Sequence, residues 1–126
     1  MEAYELTRER VRQAAPQDQP GFYRLGYIIN GRFFTSYVGR SDTCLRTRLI
    51  RHTQRRWQTH FVSRPTKTLE EAYYQECLFY HLERKTTGNK VHPARPAHTD
   101  LYCPYCEHEK TLATEAHQNT DINNVN

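Results

Sequence analysis

Glu76 stands in the middle of an apolar stripe. If residues 69–84 form a helix, its neighbours one turn to either side are Ala72, Tyr73, Phe79 and Tyr80. A carboxylate in such a setting is expensive to bury, so it must be ion-paired with an Arg, snorkel out between tyrosines, or hold a cation. Glu70 and Glu71 fall in the first turn of the same helix, where acids serve the helix dipole and are read as structural. Two tyrosines, Tyr23 and Tyr37, flank an Asn30-Gly31 turn. Further on, Arg48 and His52 are spaced i, i+4, so on a helix they share a face and can converge on one phosphate. Cys103-Pro104-Tyr105-Cys106 supplies half of a tetrahedral zinc site, with His92, His98 and His108 near in sequence. The expected ligands are Cys103, Cys106, His98 and His108; otherwise this is an end-of-domain loop with two reduced thiols. A redox role is disfavoured because no thioredoxin-like βαβ pattern surrounds the pair.

The elements that must position these groups can be read from local pattern. Residues 2–15, with Leu6 and Val11 among alternating charges, fit a short surface helix that ends at Pro16. Residues 22–29 are rich in aromatic and β-branched types, Asn30-Gly31 is a strong hairpin signal, and 32–38 reads as the return strand. Register decides what the tyrosines do. A two-residue turn puts Tyr23 and Tyr37 on opposite faces. A three-residue loop with Gly31 as a G1 bulge places them directly opposite on one face, and a shared site requires this second arrangement. Ser41 or Asp42 can cap a helix running to about Trp57, with Leu45 and Leu49 on one face and Arg48, Arg51 and Arg55 on a neighbouring stripe. Thr59–Ser63 is a short third strand. Thr68-Leu69-Glu70-Glu71 is a capping box opening the helix that carries Glu76.

The order predicts one small α+β domain, a three-stranded antiparallel sheet flanked by helices. Its parts are an N-terminal helix and turn over 1–20, the main domain over 21–110, and a disordered tail over 111–126, which has no aromatic residue. Leu, Ile, Val and Phe number only 23 of 126 residues, but nine Tyr add to what one modest core can bury. No run is long and apolar enough for a membrane span, and the N-terminal residues lack a signal-peptide core. Four Cys at uneven spacing fit reduced thiols, so a cytoplasmic location is expected. Between Phe22 and Lys67 there are ten Lys/Arg and a single acid, Asp42. That block suggests a polyanionic partner, although a solvated basic face would look the same.

Gly21-Phe22-Tyr23, then Tyr37-Val38-Gly39, then Leu45-x-x-Arg48-Leu49-x-x-His52 resemble the GIY-YIG nuclease superfamily. Ala72-x-x-x-Glu76 resembles that family's later helix, and Asn89 before Pro93 its closing segment. The similarity spans roughly residues 21–96. Phe22 replaces the usual aliphatic residue, and the Tyr23–Tyr37 interval is long, which a hairpin extension would absorb. The resemblance implies a metal-dependent DNA endonuclease. In it, Glu76 would hold one Mg²⁺ or Mn²⁺, Arg48 would face the scissile phosphate, and one of Tyr23 and Tyr37 would activate water. His52 and Asn89 would complete the pocket. Apart from the resemblance, the basic block and the helical spacing predict that DNA binding runs along Arg40, Arg48, Arg51 and Arg55. A phenol is a poor base unless cations such as Arg48 or the metal depress its pKa. The alternative is a non-catalytic nucleic-acid-binding module of the same fold, stabilised by zinc at its C-terminal end.

Overall fold

The computed structural model describes residues 2–55 and 57–106. The predicted tail and His108 lie outside that range. The described elements run β1 (Tyr4–Glu5), α1 (Arg8–Ala14), β2 (Gly21–Ile29), β3 (Arg32–Ser41), α2 (Leu45–Arg55), β4 (His60–Pro65) and α3 (Leu69–Leu82). They form the expected small α+β unit, with one correction. The sheet has four antiparallel strands in the order β1-β4-β2-β3, not three. The added strand pairs Tyr4 with Phe61 and Glu5 with His60. Two residues are too few to announce a strand by alternation, which is why this segment read as part of a helix.

The helix that follows is the expected short surface helix, beginning only at Arg8, and it docks by one apolar side. Val11 and Ala15 are fully buried, in one cluster with Tyr23, Leu25, Leu45, Leu49 and Phe61. Burying side chains of this size stabilises the fold by about 1.5–3 kcal/mol for each Val, Leu or Phe. Arg46 holds the C-terminal end of α1 from α2: its Nε donates to Ala15 O at 2.7 Å and its Nη2 to Arg12 O at 2.9 Å. That satisfies carbonyls the helix leaves open.

The hairpin departs from the predicted geometry in an instructive way. Ile29 pairs with Arg32, so the connection is the two-residue turn, with Asn30 and Gly31 at φ 52° and 79°. These left-handed values fit a type I′ turn. No bulge lies at Gly31. It falls further along, between the pairs Gly26–Thr35 and Leu25–Tyr37, where Ser36 is the extra residue on β3. Tyr37 therefore faces Leu25 rather than Tyr23, and Tyr23 faces Gly39. Because alternate residues of β2 share a face, Tyr23 and Tyr37 still lie on the same side of the sheet.

The helices carrying the other groups form as their local signals predict. Ser41 Oγ accepts from Thr43 N and Cys44 N, turning the chain out of β3 and into α2. On α2, Leu45 and Leu49 face inward while Arg48, Arg51 and Arg55 are exposed. Thr68 caps α3, its Oγ1 accepting from Glu71 N at 3.1 Å. The Glu71 carboxylate reaches back to Lys67 N. Packing of α3 on the sheet includes stacking of Phe79 on Phe22 at 5.0 Å.

Candidate functional site

Tyr23 is buried by its own strand pairing. A Cβ on Gly39 would lie 2.5 Å from the Tyr23 ring, so only glycine lets the ring cross β3 at this point. The hydroxyl then meets His52 Nε2 at 2.7 Å, from the inward-turned side of α2. Tyr37 joins them, its ring 6.4 Å from that of Tyr23 and 5.6 Å from His52. β3 is the sheet's edge strand, so groups from both faces can line one depression there. A cleft of about 300 Å³ is lined by Tyr23, Tyr37, Gly39, Arg40, Arg48 and Glu76, among others. A larger depression of about 570 Å³ is lined by Leu6, Thr7, Arg8, Thr53 and Gln54, with no carboxylate, Cys or His.

Glu76 is buried, and Arg40 Nη1 donates to its Oε1 at 2.6 Å. Arg40 Nε also donates to Asp42 at 2.6 Å, and its guanidinium lies 5.0 Å from the Tyr73 ring centre. Arg40 thus serves an internal ion-pair network and does not belong to an exposed binding track, a correction to the sequence reading. Arg24 is similarly engaged, with Glu83 and over the Phe79 ring. With Arg46 bound to α1, three cations of the basic block serve the fold. The stripe of Arg48, Arg51 and Arg55 remains exposed, and Arg48 is the member that borders the cleft.

Asn89 corrects another expectation. It forms a two-point clamp on β3, its Nδ2 donating to Val38 O and its Oδ1 accepting from Val38 N, both at 2.8 Å. Gly88 N donates to Ser36 O beside it. Asn89 therefore pairs the open edge of β3 as a strand would, and holds the backbone between Tyr37 and Gly39. It supports the cleft from outside instead of completing its lining.

Electrostatics at the cleft also differ from the expectation that cations depress a tyrosine. Burial pushes the Tyr23 hydroxyl far above its ordinary pKa, helped by Tyr37, against the weaker opposing effect of Arg48. Burial likewise raises Tyr37, with Glu76 adding to it. His52 is lowered to about 4 by burial and by the neighbouring charges of Arg55 and Arg48. Burial also raises the Glu76 carboxyl, against the pull of Arg40. At neutral pH, Tyr23 is a phenol beside a neutral imidazole.

A second cluster lies at the end of α3. His81, His92, Cys103 and Cys106 bring four ligand atoms within 4.8 Å of one another, a set that could hold a metal ion. Cys103 and Cys106 were expected there; His98 is exposed and outside the set. His81 and His92 take the places expected for His98 and His108. Nothing local marks His81, which is 22 residues from Cys103 and looks like an ordinary helix-end cation. No helix among the described residues is long and apolar enough to cross a membrane. No family model, curated protein or solved structure matches this chain.

Proposed function

We propose that the protein is a DNA endonuclease of GIY-YIG type that hydrolyses phosphodiester bonds with one Mg²⁺ or Mn²⁺ at Glu76. The observation that carries this reading is the single cleft lined by Tyr23, Tyr37, Arg48 and Glu76, groups drawn from β2, β3, α2 and α3. A desolvated carboxylate at a cleft, with Asp42 also on its lining, fits a hard cation that keeps most of its waters. Bound there, the cation would polarise the phosphate and offset the charge that builds on it.

The chain's own groups supply the rest. Tyr23 is too strongly held as a phenol to exist as a standing phenolate, but its oxygen retains lone pairs. We assign it as a relay: it takes a proton from the attacking water as its own proton passes to neutral His52 Nε2. The water oxygen bonds to phosphorus, and the ester bond opposite breaks. The leaving alkoxide and His52 then exchange protons with solvent. Arg48 stabilises the equatorial oxygens, and its contact matters most as their charge grows. Tyr37 orients the water or the phosphate. Arg51 and Arg55 continue the contact along the backbone, away from the cleft.

The direct test is nicking of supercoiled plasmid with and without added Mg²⁺. Magnesium-dependent nicking supports the reading. The Arg40–Glu76 contact favours a second one, a nucleic-acid-binding module in which Glu76 is only an ion-pair partner. That protein would bind DNA in a salt-dependent way and never cut it. A domain for protein contacts alone would show no such binding.

Two further outcomes follow from the geometry. Only neutral His52 can accept the Tyr23 proton, and its pKa is lowered to about 4. Cleavage should therefore be flat between about pH 6 and 8 and fall only as pH drops towards that value. An inflection near the ordinary histidine pKa would remove His52 from the relay. The same shift means the unfolded chain takes up a proton that the folded one refuses, so stability should also decline on acidification below about pH 6.5. For binding, Arg51→Gln with Arg55→Gln should weaken affinity by a similar factor on every sequence. The slope of log K against log salt should shrink by about two units, at ~0.9 per phosphate contact. An unchanged slope would place DNA on another surface.

A further inference from the structure

We propose that His81, His92, Cys103 and Cys106 form a structural zinc site that ties residues 88–106 to the end of α3. The four ligand atoms come from three separate places: the last turn of α3, the irregular chain after it, and the Cys-Pro-Tyr-Cys turn. Cys103 Sγ lies 3.3 Å from His81 Nε2, Cys106 Sγ 3.6 Å from the same nitrogen, and Cys106 Sγ 3.2 Å from His92 Nε2. In a tetrahedral site with ordinary Zn–S and Zn–N bonds, a sulfur and a nitrogen sit about 3.5 Å apart. The observed separations bracket that value.

The surroundings prepare the ligands for a metal. His92 Nδ1 lies 2.8 Å from Pro93 O. A carbonyl can only accept, so Nδ1 donates to it and Nε2 is the ring nitrogen left facing the cluster, the orientation that metal-ligating histidines adopt. The Tyr80 ring packs edge-on against both imidazoles, at 5.2 and 5.1 Å, and limits their rotation. Two thiolates and two neutral imidazoles sum to a charge that Zn²⁺ cancels. Thiolate ligation excludes Mg²⁺, and four protein ligands leave no open position for catalysis.

The site has a structural task. Between the end of α3 and Cys106 the described chain, residues 83–105, has no strand and no α-helix. This stretch nevertheless carries the Asn89 clamp on β3 and places Ala94 at the cleft. Zinc would fix its far end, as the clamp fixes its near end, for a chain with little core of its own to bury. Cys77 and Tyr73 of α3 pack with Cys103 in a small cluster that continues this contact.

The test uses the full chain purified under reducing conditions, with metal content, cobalt spectroscopy and thiol protection as readouts. Elemental analysis should give about one zinc per chain. Replacing it with Co²⁺ should give the intense visible absorption of tetrahedral cobalt and a thiolate-to-metal band in the near ultraviolet. Cys103 and Cys106 should alkylate at least ~10-fold faster after a zinc chelator is added, while Cys44 alkylates at the same rate throughout. Cys106→Ser should lose the cobalt spectrum, and Cys44→Ser should retain it. If Cys106→Ser fails to fold, the wild-type stoichiometry, spectrum and alkylation rates decide alone. A chain that stays metal-free after exposure to excess Zn²⁺, or a cobalt spectrum of octahedral type, would overturn the proposal. A Cys103–Cys106 disulfide persisting in reductant would do the same. None of these readouts involves DNA, so the zinc site stands or fails apart from the nuclease reading.

Discussion

Glu76→Gln should reduce plasmid nicking by about 10³-fold or more, because it removes the buried carboxylate proposed to hold the metal, while Asp42, the other acid lining the cleft, is engaged by Arg40. The change is nearly isosteric, and the amide oxygen can still accept from Arg40. Arg40 also keeps Asp42 at 2.6 Å, so its charge is not left without a partner. Breaking a buried ion pair outright destabilises by about 3–5 kcal/mol, and the remaining Asp42 contact should hold the loss well below that. DNA affinity measured without Mg²⁺ should stay near wild type, since the exposed Arg stripe is untouched. Wild-type nicking by Glu76→Gln, in a variant whose melting temperature is preserved, would leave Glu76 as an ion-pair partner and end its role in metal binding.

Tyr23→Phe should lower single-turnover cleavage by about 10²–10⁴-fold, the range expected when a positioned proton-transfer group is lost. The ring remains and still fills the space above Gly39, so the core is kept. The loss in stability should be only the hydroxyl's hydrogen bond to His52, about 1 kcal/mol. Tyr37→Phe serves as the comparison. Tyr37 is half-buried, touches the same imidazole by ring contact alone, and borders the same cleft. A larger rate loss for Tyr37→Phe than for Tyr23→Phe would reverse the assignment of the two tyrosines. The fall in rate as pH drops towards 4 should also disappear in Tyr23→Phe if the relay is what joins His52 to the reaction.

Local signals were sufficient wherever the free energy of a choice is set within one or two turns of chain. The spacing of Leu45, Leu49, Arg48, Arg51 and Arg55 fixed which side of α2 is buried. Thr68 announced the start of α3, and Asn30-Gly31 the hairpin. Glu76 stood out because a carboxylate among aromatic residues at helical spacing has few inexpensive solutions, and an Arg partner was among those expected. Which Arg it would be was not legible. Arg40 and Glu76 are 36 residues apart, and only the packing of α3 on the sheet brings them within 2.6 Å.

The shared face of Tyr23 and Tyr37 shows most clearly where sequence stops. A strand has period two, so one extra residue anywhere between the tyrosines brings them to the same side. The sequence reading required that residue and placed it at Gly31, where turn chemistry favours one. The folded sheet places it at Ser36. At Gly26, opposite that stretch, a Cβ would fall 1.8 Å from Phe34 O, a close backbone approach that no local propensity encodes. Asn89 and His81 are the same case. Each is an unremarkable residue until a partner distant in sequence arrives: the bare edge of β3 for one, two sulfurs for the other. The sequence alone determined the residue types, their helical faces and the need for an odd residue in the hairpin. Where that residue sits, which cations turn inward and which histidines meet the cysteines were decided by tertiary pairing, because those energies exist only once distant segments touch.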